Sequence, residues 1–488
     1  MNHKRATTDI CYVVSFGFAA RMLLQTGLLE RLLVAGKSVA VITPDAEHEN
    51  LRALLRYSGF SLHEAAAVHG LWHDNYLFKR KYYLEDIRAN PALWEKHVYS
   101  LRYSKSLHPW RRVRPLYYLL IYYLIKLFPG IRRRFLVQEK RYLQSEQISA
   151  LLQEIQPRLV VATYPVNILE AQVMYAAKQA HLPTVLQLLS WDNITSKGRF
   201  PVVAEHYVLW GPIMSQELLS YYPEVAPAQI RECGVPHFDH YEAFRGGSRH
   251  RSRLAYLGLD PDRPYLFFAM SAERFAPREI DIVEQLSAAI RANVFGPDLQ
   301  LVVRPHPQVV SGHMTDKSWL GRLERLVGER VAVDWPRLLP SNLRWSMHRE
   351  DMDQLAALLA GCTLCLNSGS TISIEALLLD KPVILTAFDA EDQLPYWQSA
   401  RRLVDYVHLR KLVELGGITV AHSKADLAAA ITQYLREPEH LRHNRQATIA
   451  QECYATDGQA TARTVTALLN LLEEKRPERT QDPLHVKN

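Results

Sequence analysis

The stretch LCLNSGSTISIEALLLDKPVIL, residues 364–385, contains an apolar strand, a turn of small residues, an apolar helix and a second apolar strand. The first strand is predicted to end at Asn367, and the helix is predicted to begin at Thr371. Backbone N–H groups of such a turn lie at the carboxyl end of a parallel strand, where they can bind an anion. An ordinary strand-to-helix turn capped by Ser370 is the alternative. The predicted phosphate-binding residues of this turn are Ser368, Gly369, Ser370 and Thr371.

The same alternation of strands and helices continues on both sides of this stretch. Strands are predicted at 265–270, 299–304 and 331–334, so the second half of the chain indicates a parallel sheet. The first half repeats the pattern between residues 10 and 234, beginning with a helix predicted over 20–35 between two strands. We therefore predict the α/β fold class, with two Rossmann-like, doubly wound parallel-sheet domains that face a cleft.

The length of 488 residues exceeds what one hydrophobic core usually serves, and this argues for two or three domains, of which we expect two. A stretch rich in Gly, Ser and Arg around 244–253 marks the predicted boundary. We predict an N-terminal α/β domain at 1–245, a C-terminal α/β domain at 246–454, and a last helix and tail at 455–488. The last helix is expected to pack back across the junction.

The composition is that of a globular protein, with 48% hydrophobic and 22% charged residues. No signal peptide is predicted, because no small-residue cleavage site follows the short apolar run near the N-terminus. Five cysteines, an odd number, indicate a reducing compartment, so the expected location is the cytoplasm. Cys362 and Cys365 form a C-x-x-C without a second pair to complete a zinc site, and we interpret both as strand core residues.

A basic, tyrosine-rich insertion is predicted at about 76–142, where the strand–helix alternation stops. Residues 79–141 contain sixteen Lys or Arg and four acids, whereas the whole chain has a net charge of +7. The central segment LYYLLIYYLIKLF, 116–128, is too short to span a bilayer but suits the headgroup boundary of an anionic membrane surface. A helix packed on the protein body with solvated arginines is the alternative. Nucleic acid is not an expected partner, because no recognised binding pattern accompanies these residues.

The segment VVRPHPQ, residues 302–308, follows another predicted strand of the second sheet. His306 lies between two prolines, whose fixed φ angles hold it on a loop where its imidazole can donate to a phosphate or titrate near neutrality. Arg304 and His306 are expected to face the crevice that contains the turn at 368–371. A structural role is the alternative for a lone histidine. The predicted anion-binding residues of this segment are Arg304, His306 and Pro307.

Three further residues of the second half are candidate ligand contacts. Glu375 lies one helical turn beyond the turn at 368–371, where a carboxylate repels phosphate but can accept two hydroxyls of a ribose or a sugar. The segment SAERF, 271–275, ends the first strand of the second sheet, and Ser271 and Arg274 are predicted to reach a phosphate.

The loop LLSWDNITSKGRF, residues 188–200, follows a strand of the first sheet. A run of polar residues with a tryptophan at this edge suits recognition of a second substrate. Asp192 is the candidate general base, and an Asx turn in a structural loop is the alternative. The predicted acceptor-binding residues of this loop are Ser190, Trp191, Asn193 and Lys197.

Acid pairs occur at Asp260 with Asp262 and at Asp351 with Asp353. Asp351 is predicted to cap a helix rather than to bind a metal, and no metal site is expected. The chain has no G-x-G-x-x-G or Walker A pattern, so dinucleotide or ATP binding is not supported.

These motifs resemble the GT-B superfamily of bacterial surface-polysaccharide enzymes, including capsule glycosyltransferases, sialyltransferases with an HP motif, and glycerophosphotransferases with R-x-H-P and a serine-rich turn. His306 and Pro307 match the HP motif, and residues 368–371 match the phosphate turn. The 188–200 loop looks like the SWDN-T-KG loop of uncharacterised bacterial glycosyltransferase-like proteins. The resemblance implies a GT-B-like fold, with nucleotide-sugar binding in the C-terminal domain and the acceptor on the N-terminal side. The acidic-acidic-Gly motif of those sialyltransferases is missing here, so the resemblance does not identify the base.

The predicted function is metal-independent transfer of a sugar from a nucleotide-sugar donor to a hydroxyl of a cell-surface glycan or lipid-linked acceptor. Capsule or lipopolysaccharide synthesis is the expected setting, peripheral on the inner face of the plasma membrane. Charge on the departing phosphate is then stabilised by His306, Arg304 and the turn at 368–371, and no cofactor is expected.

Three alternatives to this function stay open. A CDP-polyol phosphotransferase also handles a nucleotide-linked phosphate at such a turn. A sugar-nucleotide 2-epimerase shares the architecture but is expected to have a Gly-Gly turn with paired glutamates. A non-catalytic membrane-surface scaffold is the alternative from another class.

Overall fold

The computed structural model describes residues 7–67, 90–95, 109–311, 318–343 and 346–474, and the structural statements below refer to these residues. Two parallel β-sheets form the centres of two α/β domains, as predicted. The strands of the first sheet are β1 Thr8–Val13, β2 Val39–Thr43, β3 Phe60–Glu64, β4 Pro157–Ala162, β5 Thr184–Gln187, β6 His206–Leu209 and β7 Ile230–Glu232. Those of the second are β8 Tyr265–Ala269, β9 Gln300–Arg304, β10 Val331–Val333, β11 Leu364–Asn367, β12 Val383–Thr386 and β13 Thr419–Ala421.

The order of the strands puts the first strand of each sheet near its centre. The first sheet runs β3-β2-β1-β4-β5-β6-β7 and the second runs β10-β9-β8-β11-β12-β13. Every pairing within them is parallel. Strands such as β2 (VAVIT), β8 (YLFFA) and β9 (QLVVR) are buried at every residue, because helices cover both faces of a parallel sheet.

Helices alternate with the strands in both domains. In the first half they are α1 Gly17–Ala20, α2 Leu28–Val34, α3 Glu49–Arg52, α4 Pro109–Leu127, α5 Pro129–Leu143, α6 Glu146–Ile155, α7 Ile168–Gln179, α8 Asn193–Ser196, α9 Pro212–Tyr221, α10 Asp239–Glu242 and α11 His250–Tyr256. In the second half they are α12 Glu279–Arg291, α13 Pro307–Val310, α14 Ser318–Leu326, α15 Arg349–Gly361, α16 Ile372–Leu378, α17 Val407–Glu414, α18 Lys424–Arg436, α19 Arg442–Cys453 and α20 Ala460–Glu473.

The element predictions differ from the structure in three places. The helix predicted over 20–35 is broken into α1, a π-helical segment at Arg21–Gln25, and α2. Gly27 separates the last two with φ of +72°, a left-handed conformation that ends a regular helix. The strands β3 and β13 were not predicted, because both are short and neither is fully apolar.

The last helix, α20, packs on the first domain rather than on the second. Leu468 and Leu471 are buried in the same apolar cluster as Leu28 and Leu32 of α2. Asp239, from the segment between the sheets, accepts hydrogen bonds from the backbone N–H groups of Ala460 (2.9 Å) and Thr461 (2.7 Å). The two unpaired donors at the start of α20 are therefore satisfied by a carboxylate of the junction.

Loops after the strands of the two sheets contact one another across a cleft. Asp45, just beyond β2, accepts from the Ser341 hydroxyl (2.6 Å) and from the Asn342 backbone N–H (2.9 Å), both beyond β10. Leu343 of the same loop is buried in the apolar cluster of the first domain. His48 Nε2 also lies 2.8 Å from the Ser346 hydroxyl. The carboxyl edges of the two sheets thus line one interdomain cleft.

The predicted insertion at 76–142 is described in part. Its segment 116–128 lies in α4 and in the turn to α5, whereas 76–89 and 96–108 lie outside the described residues. In the part of the chain that the structure describes, no helix combines the length and apolarity needed to cross a membrane. Cys362 and Cys365 are buried, with Cys365 in β11, in agreement with their interpretation as core residues.

Candidate active site

The predicted loops of the second sheet meet at one edge. Strands β9, β8 and β11 are neighbours and parallel, so the residues that follow them, His306, Ser271 and Ser368, lie at the same carboxyl edge. Only β8 separates β9 from β11, which corresponds to two strand spacings, or about 10 Å. The imidazole loop and the turn at 368–371 therefore border one region of the cleft.

The turn at 368–371 is closed internally by Asn367. Its Oδ1 accepts from the backbone N–H groups of Gly369 (2.8 Å) and Ser370 (3.0 Å) and from the Ser373 hydroxyl (3.0 Å). Gly369 has φ of +106°, and a Cβ there would lie 2.8 Å from the Leu409 side chain, so glycine is required. An anion that took these two N–H groups would have to replace the Asn367 oxygen.

Ser368 and Ser271 are joined by a buried acid that the sequence analysis missed. The Ser368 hydroxyl donates to Glu279 Oε1 (2.5 Å), and the Ser271 backbone N–H donates to Oε2 (2.6 Å). The Ser368 hydroxyl also lies 2.8 Å from the Thr386 hydroxyl. Burial raises the pKa of Glu279 to about 7 despite these hydrogen bonds. Glu279 ties together two of the loops predicted to bind phosphate.

Arg304 is buried between two aspartates. Its guanidinium forms ion pairs with Asp334 and with Asp351, the latter at 2.5 Å. Both carboxylates are fully buried, and Asp334 also pairs with Arg253 (2.5 Å). The charge of Arg304 is thus engaged by carboxylates at the β9–β10 edge instead of being presented to a ligand.

The prediction that Asp351 caps a helix is wrong. The N-cap residue of α15 is His348, and Asp351 lies inside the first turn. Its carboxylate accepts from Arg304 and from the Arg337 backbone N–H (2.8 Å). The Asp351 carboxylate balances the charge of the buried Arg304 guanidinium. Because Arg304 lies 47 residues earlier in the chain, no local sequence pattern indicates this pair.

His306 is a neutral hydrogen-bonding group in this structure. Its Nδ1 accepts from the Gln308 backbone N–H (3.1 Å) at the start of α13, where Pro307 is the first residue. Desolvation lowers the pKa of His306 to about 4. The proton of the neutral ring therefore lies on Nε2, which is a donor without a positive charge at neutral pH.

Glu375 is buried next to the segment that connects the domains. Its carboxylate accepts a hydrogen bond from the Tyr241 hydroxyl of α10. Burial and the nearby Glu375 raise the pKa of Tyr241, which also interacts with Arg21 of the first domain. The predicted hydroxyl-binding acid thus lies where both domains and their connection meet.

Asp192 is held by four donors on its own loop, one of them the Asn193 side-chain amide at 3.5 Å. The hydroxyls of Ser190 (2.8 Å) and Ser196 (2.7 Å) and the ammonium of Lys197 (2.8 Å) all contact its carboxylate. Burial alone would raise the pKa of Asp192, but Lys197 and His408 outweigh it and lower that pKa far below its usual range. A carboxylate stabilised in this way is a weak proton acceptor.

The 188–200 loop contacts the second domain through Trp191 and Thr195. Trp191 is buried and meets the His408 ring edge-on, with ring centres 4.8 Å apart. Thr195 lies 3.5 Å from His408 Nδ1, and Asn193 is buried and accepts from the Ser190 backbone N–H (3.3 Å). Lys197 keeps about three tenths of its side-chain surface exposed. The side chain of Lys197 is therefore more accessible than that of Asp192, which keeps about one fifth of its surface exposed.

Arg274 contacts a second buried acid that sequence reasoning missed. Glu95, from the described part of the insertion, lies 3.4 Å from Arg274 and 3.7 Å from Arg402. Arg402 is fully buried and donates to the Ser399 carbonyl (2.6 Å). One segment of the insertion therefore enters the cleft and places a carboxylate beside a predicted phosphate-binding arginine.

Among the described side chains, no group of three or more His, Cys, Asp or Glu could hold a metal ion. The polar groups of the cleft are instead arranged as hydrogen-bonded pairs and triads.

Two parallel-sheet α/β domains that face each other across a cleft define the GT-B fold, and this chain has it. Solved structures with a similar fold include the UDP-GlcNAc 2-epimerase of Neisseria meningitidis bound to UDP-GlcNAc, at 12% identity and a TM-score of 0.53, covering 95% of this chain and 100% of that one. The S. aureus MnaA–UDP complex has 13% identity and a TM-score of 0.52, covering 96% and 99%. A glycosyltransferase from Rickettsia africae has 10% identity and a TM-score of 0.50, covering 96% and 100%.

At these identities the likeness concerns the fold. No protein-family model matches the sequence, and no curated protein matches it either.

Proposed function

We propose that the protein is a glycosyltransferase that binds a nucleotide-sugar at the carboxyl edge of its second sheet. The observation that carries the proposal is the adjacency of the loops after β8, β9 and β11 in a GT-B fold. Structures of similar fold were solved with UDP-GlcNAc or UDP bound. The sugar would pass to a hydroxyl of a cell-surface glycan or lipid-linked acceptor, at the cytoplasmic face of the plasma membrane.

The donor phosphates are proposed to bind between His306 and the turn at 368–371. The Nε2–H of His306 and the partly exposed hydroxyls of Ser370 and Thr371 are donors at this edge. Preorganised donors of this kind stabilise the charge that builds on a departing phosphate. We propose transfer without a metal ion on this basis.

The ribose hydroxyls are proposed to bind Glu375. Because Tyr241 now donates to this carboxylate, the ribose would share it with the phenol or displace the phenol. Donor binding would then move Tyr241, and through it the segment that connects the domains.

Asp192 is proposed as the general base that takes the proton of the acceptor hydroxyl. This role requires that binding of the acceptor separates the Lys197 ammonium from the Asp192 carboxylate. While the ammonium stays 2.8 Å from the carboxylate, proton transfer to Asp192 is unfavourable. The acceptor hydroxyl would therefore enter between the two side chains.

Epimerisation at C2 of the donor sugar is the second candidate function, because several structures of similar fold are UDP-GlcNAc 2-epimerases. The turn here has a single glycine, Gly369, where the epimerase pattern leads us to expect two. Solvent deuterium would enter the sugar at C2 during epimerisation and not during glycosyl transfer, so mass spectrometry of recovered UDP-GlcNAc separates the two. A CDP-polyol phosphotransferase would instead consume a CDP-linked polyol.

A thermal-shift panel of UDP, CDP, CMP and their sugar conjugates tests the proposal directly. At least one nucleotide-sugar should raise the melting temperature, because ligands that bind the folded state stabilise it. If no compound of the panel shifts the transition, nucleotide binding and the proposed function fail together.

His306→Ala should lower turnover about a hundredfold or more, because one donor to the departing phosphate is lost. His306→Gln, which retains an N–H donor, is the control and should lose less. Unfolding curves of both variants check that the lost contact with Gln308 has not altered the fold. Equal turnover in the wild type and the Ala variant would refute the role of His306.

A further inference from the structure

We infer that the helical hairpin of α4 and α5 is a docking surface for a membrane with anionic lipids. The inference extends the proposed function, because a lipid-linked acceptor lies in such a membrane, but it is carried by a separate part of the molecule. It depends on the exposure of one helix face and on the charge that surrounds it.

Helix α4 has apolar residues on two faces. On one face Tyr118 and Tyr122 are buried in a cluster with Leu93 of the insertion, and Ile121 and Ile125 are buried as well. This face attaches the helix to the protein, in agreement with one of the two sequence-based alternatives. A helix that is apolar on the opposite side too needs a second apolar environment.

The opposite face of α4 is apolar and open. Its residues recur at spacings of three and four, so they form one stripe about 100° wide along the helix. Leu120 is 58% exposed and Leu127 is 69% exposed, and Phe128 at the turn to α5 is 53% exposed. The exposed stripe consists of Val113, Leu116, Tyr117, Leu120, Leu124 and Leu127.

Positive charge accompanies the exposed stripe. Residues 109–143 contain nine Lys or Arg and one acid, Glu139. The net charge of this segment, nine minus one, is therefore larger than the net charge of +7 of the whole chain. The side chains of Lys126, Arg133, Arg134 and Lys140 are exposed. Anionic headgroups attract such cations, while the leucines reach the acyl boundary.

A lipid surface explains both features better than another protein or a nucleic acid does. A protein-binding stripe would not require so large an excess of one charge, and the phosphates of a nucleic acid would not use a row of leucines. Tyr117 of the exposed stripe also suits the interface, where an aromatic body meets apolar chains and a hydroxyl meets water. Helix α4 is too polar to cross the bilayer, so it would lie at its surface.

Sedimentation of the full chain with vesicles tests the inference. Phosphatidylcholine vesicles that contain phosphatidylglycerol should bind the protein, and pure phosphatidylcholine vesicles should bind it much less. The double variant Leu120→Glu/Leu124→Glu should bind at least tenfold more weakly, because it places two charges at the acyl boundary. Arg133→Gln/Arg134→Gln should lose about fivefold for each charge, with a weaker dependence on salt.

A matched control is Val294→Glu/Val327→Glu, which alters two exposed valines of the second domain. This variant should bind vesicles like the wild type. Equal binding by the Leu120/Leu124 variant and the wild type would overturn the inference, as would binding of duplex DNA in preference to vesicles. A dimer that dissociates in the stripe variant would also overturn it, because a second copy would then be the occupant.

The nucleotide thermal-shift panel keeps the two proposals apart. A Leu120/Leu124 variant that retains its nucleotide-sugar shift but loses vesicle binding supports the docking surface without testing the transferase. Vesicle binding in a protein that shows no nucleotide shift refutes the proposed function and leaves the docking surface standing.

Discussion

Each domain has a buried glutamate at the carboxyl edge of its sheet, and comparing the two acids shows how the two edges differ. In the first domain, Glu170 of α7 accepts from the backbone N–H groups of Thr163 (2.6 Å) and Tyr164 (2.7 Å) and from the Ser15 hydroxyl. In the second, Glu279 of α12 accepts from the Ser271 backbone N–H and the Ser368 hydroxyl. Each buried acid joins the ends of two neighbouring strands, β1 with β4 and β8 with β11.

The difference between the two lies in how fully each acid is satisfied. Glu170 accepts from two backbone N–H groups and from the hydroxyls of Ser15 and Thr163, the latter at 3.4 Å. Glu279 accepts from one backbone N–H group and from the Ser368 hydroxyl, which also lies 2.8 Å from the Thr386 hydroxyl. Burial raises the pKa of both acids, and that of Glu279 reaches about 7. The first acid therefore accepts two backbone hydrogen bonds, while the second is a junction that can change its protonation near neutral pH.

The largest effect is expected from Glu170→Ala. The change leaves the Ser15 hydroxyl and the backbone N–H groups of Thr163 and Tyr164 without an acceptor in a fully buried position. The free energy of unfolding should fall by more than about 3 kcal/mol, since each buried unsatisfied donor costs roughly 1 kcal/mol or more. Urea denaturation measures the loss, and hydrogen exchange should show lost protection at Thr163 and Tyr164.

Glu170→Gln is the control, because its amide oxygen still accepts two of these bonds. A loss in the Gln variant as large as that in the Ala variant would mean that the ionised carboxylate, not the set of acceptors, holds the first edge together.

A pH effect of intermediate size distinguishes Glu279. The pKa of Glu279, about 7 in the folded protein, exceeds its ordinary value of 4.5, which we take for the unfolded chain. The proton therefore stabilises the folded state: this contribution is complete below about pH 4 and is lost as the pH rises through about 7. The difference amounts to up to about 3 kcal/mol.

Glu279→Gln mimics the protonated acid and should remove this part of the pH dependence. Denaturation curves at several pH values between 4 and 8 give the comparison, with the wild-type curve falling relative to the variant as the pH rises. Parallel curves for the two proteins would show that Glu279 does not titrate in this range.

The sequence predicts the scaffold well, because local patterns determine it. Continuous apolar runs such as those of β8 and β9 identify buried parallel strands, and residues 364–385 contain a complete strand–helix–strand unit. What it predicts poorly is the partner of each polar side chain. Asp192, for example, was recognised on its loop, but the influence of His408 on it comes from a helix more than two hundred residues later.

The same limit explains the acids that were missed. Glu279 lies 89 residues from Ser368, and Glu95 lies 179 residues from Arg274. In the sequence Glu279 is an acid in the first turn of a helix, a common and unremarkable position, and Glu95 belongs to a mostly basic insertion. Only the fold brings each one to the cleft, so no spacing or motif in a single sequence could have identified them.

The smallest effect is expected from the two serines, and here the comparison becomes a test of where the donor binds. Ser15→Ala and Ser368→Ala each remove one hydroxyl that donates to a buried glutamate, so each should cost about 1 kcal/mol of unfolding free energy. Ser368 also begins the turn proposed to hold the donor phosphates, whereas Ser15 follows the first strand of the other sheet. Only Ser368→Ala should reduce the thermal shift produced by a nucleotide-sugar. If Ser15→Ala reduces the thermal shift more, the phosphates bind at the edge of the first sheet. The donor site proposed in the second domain is then wrong.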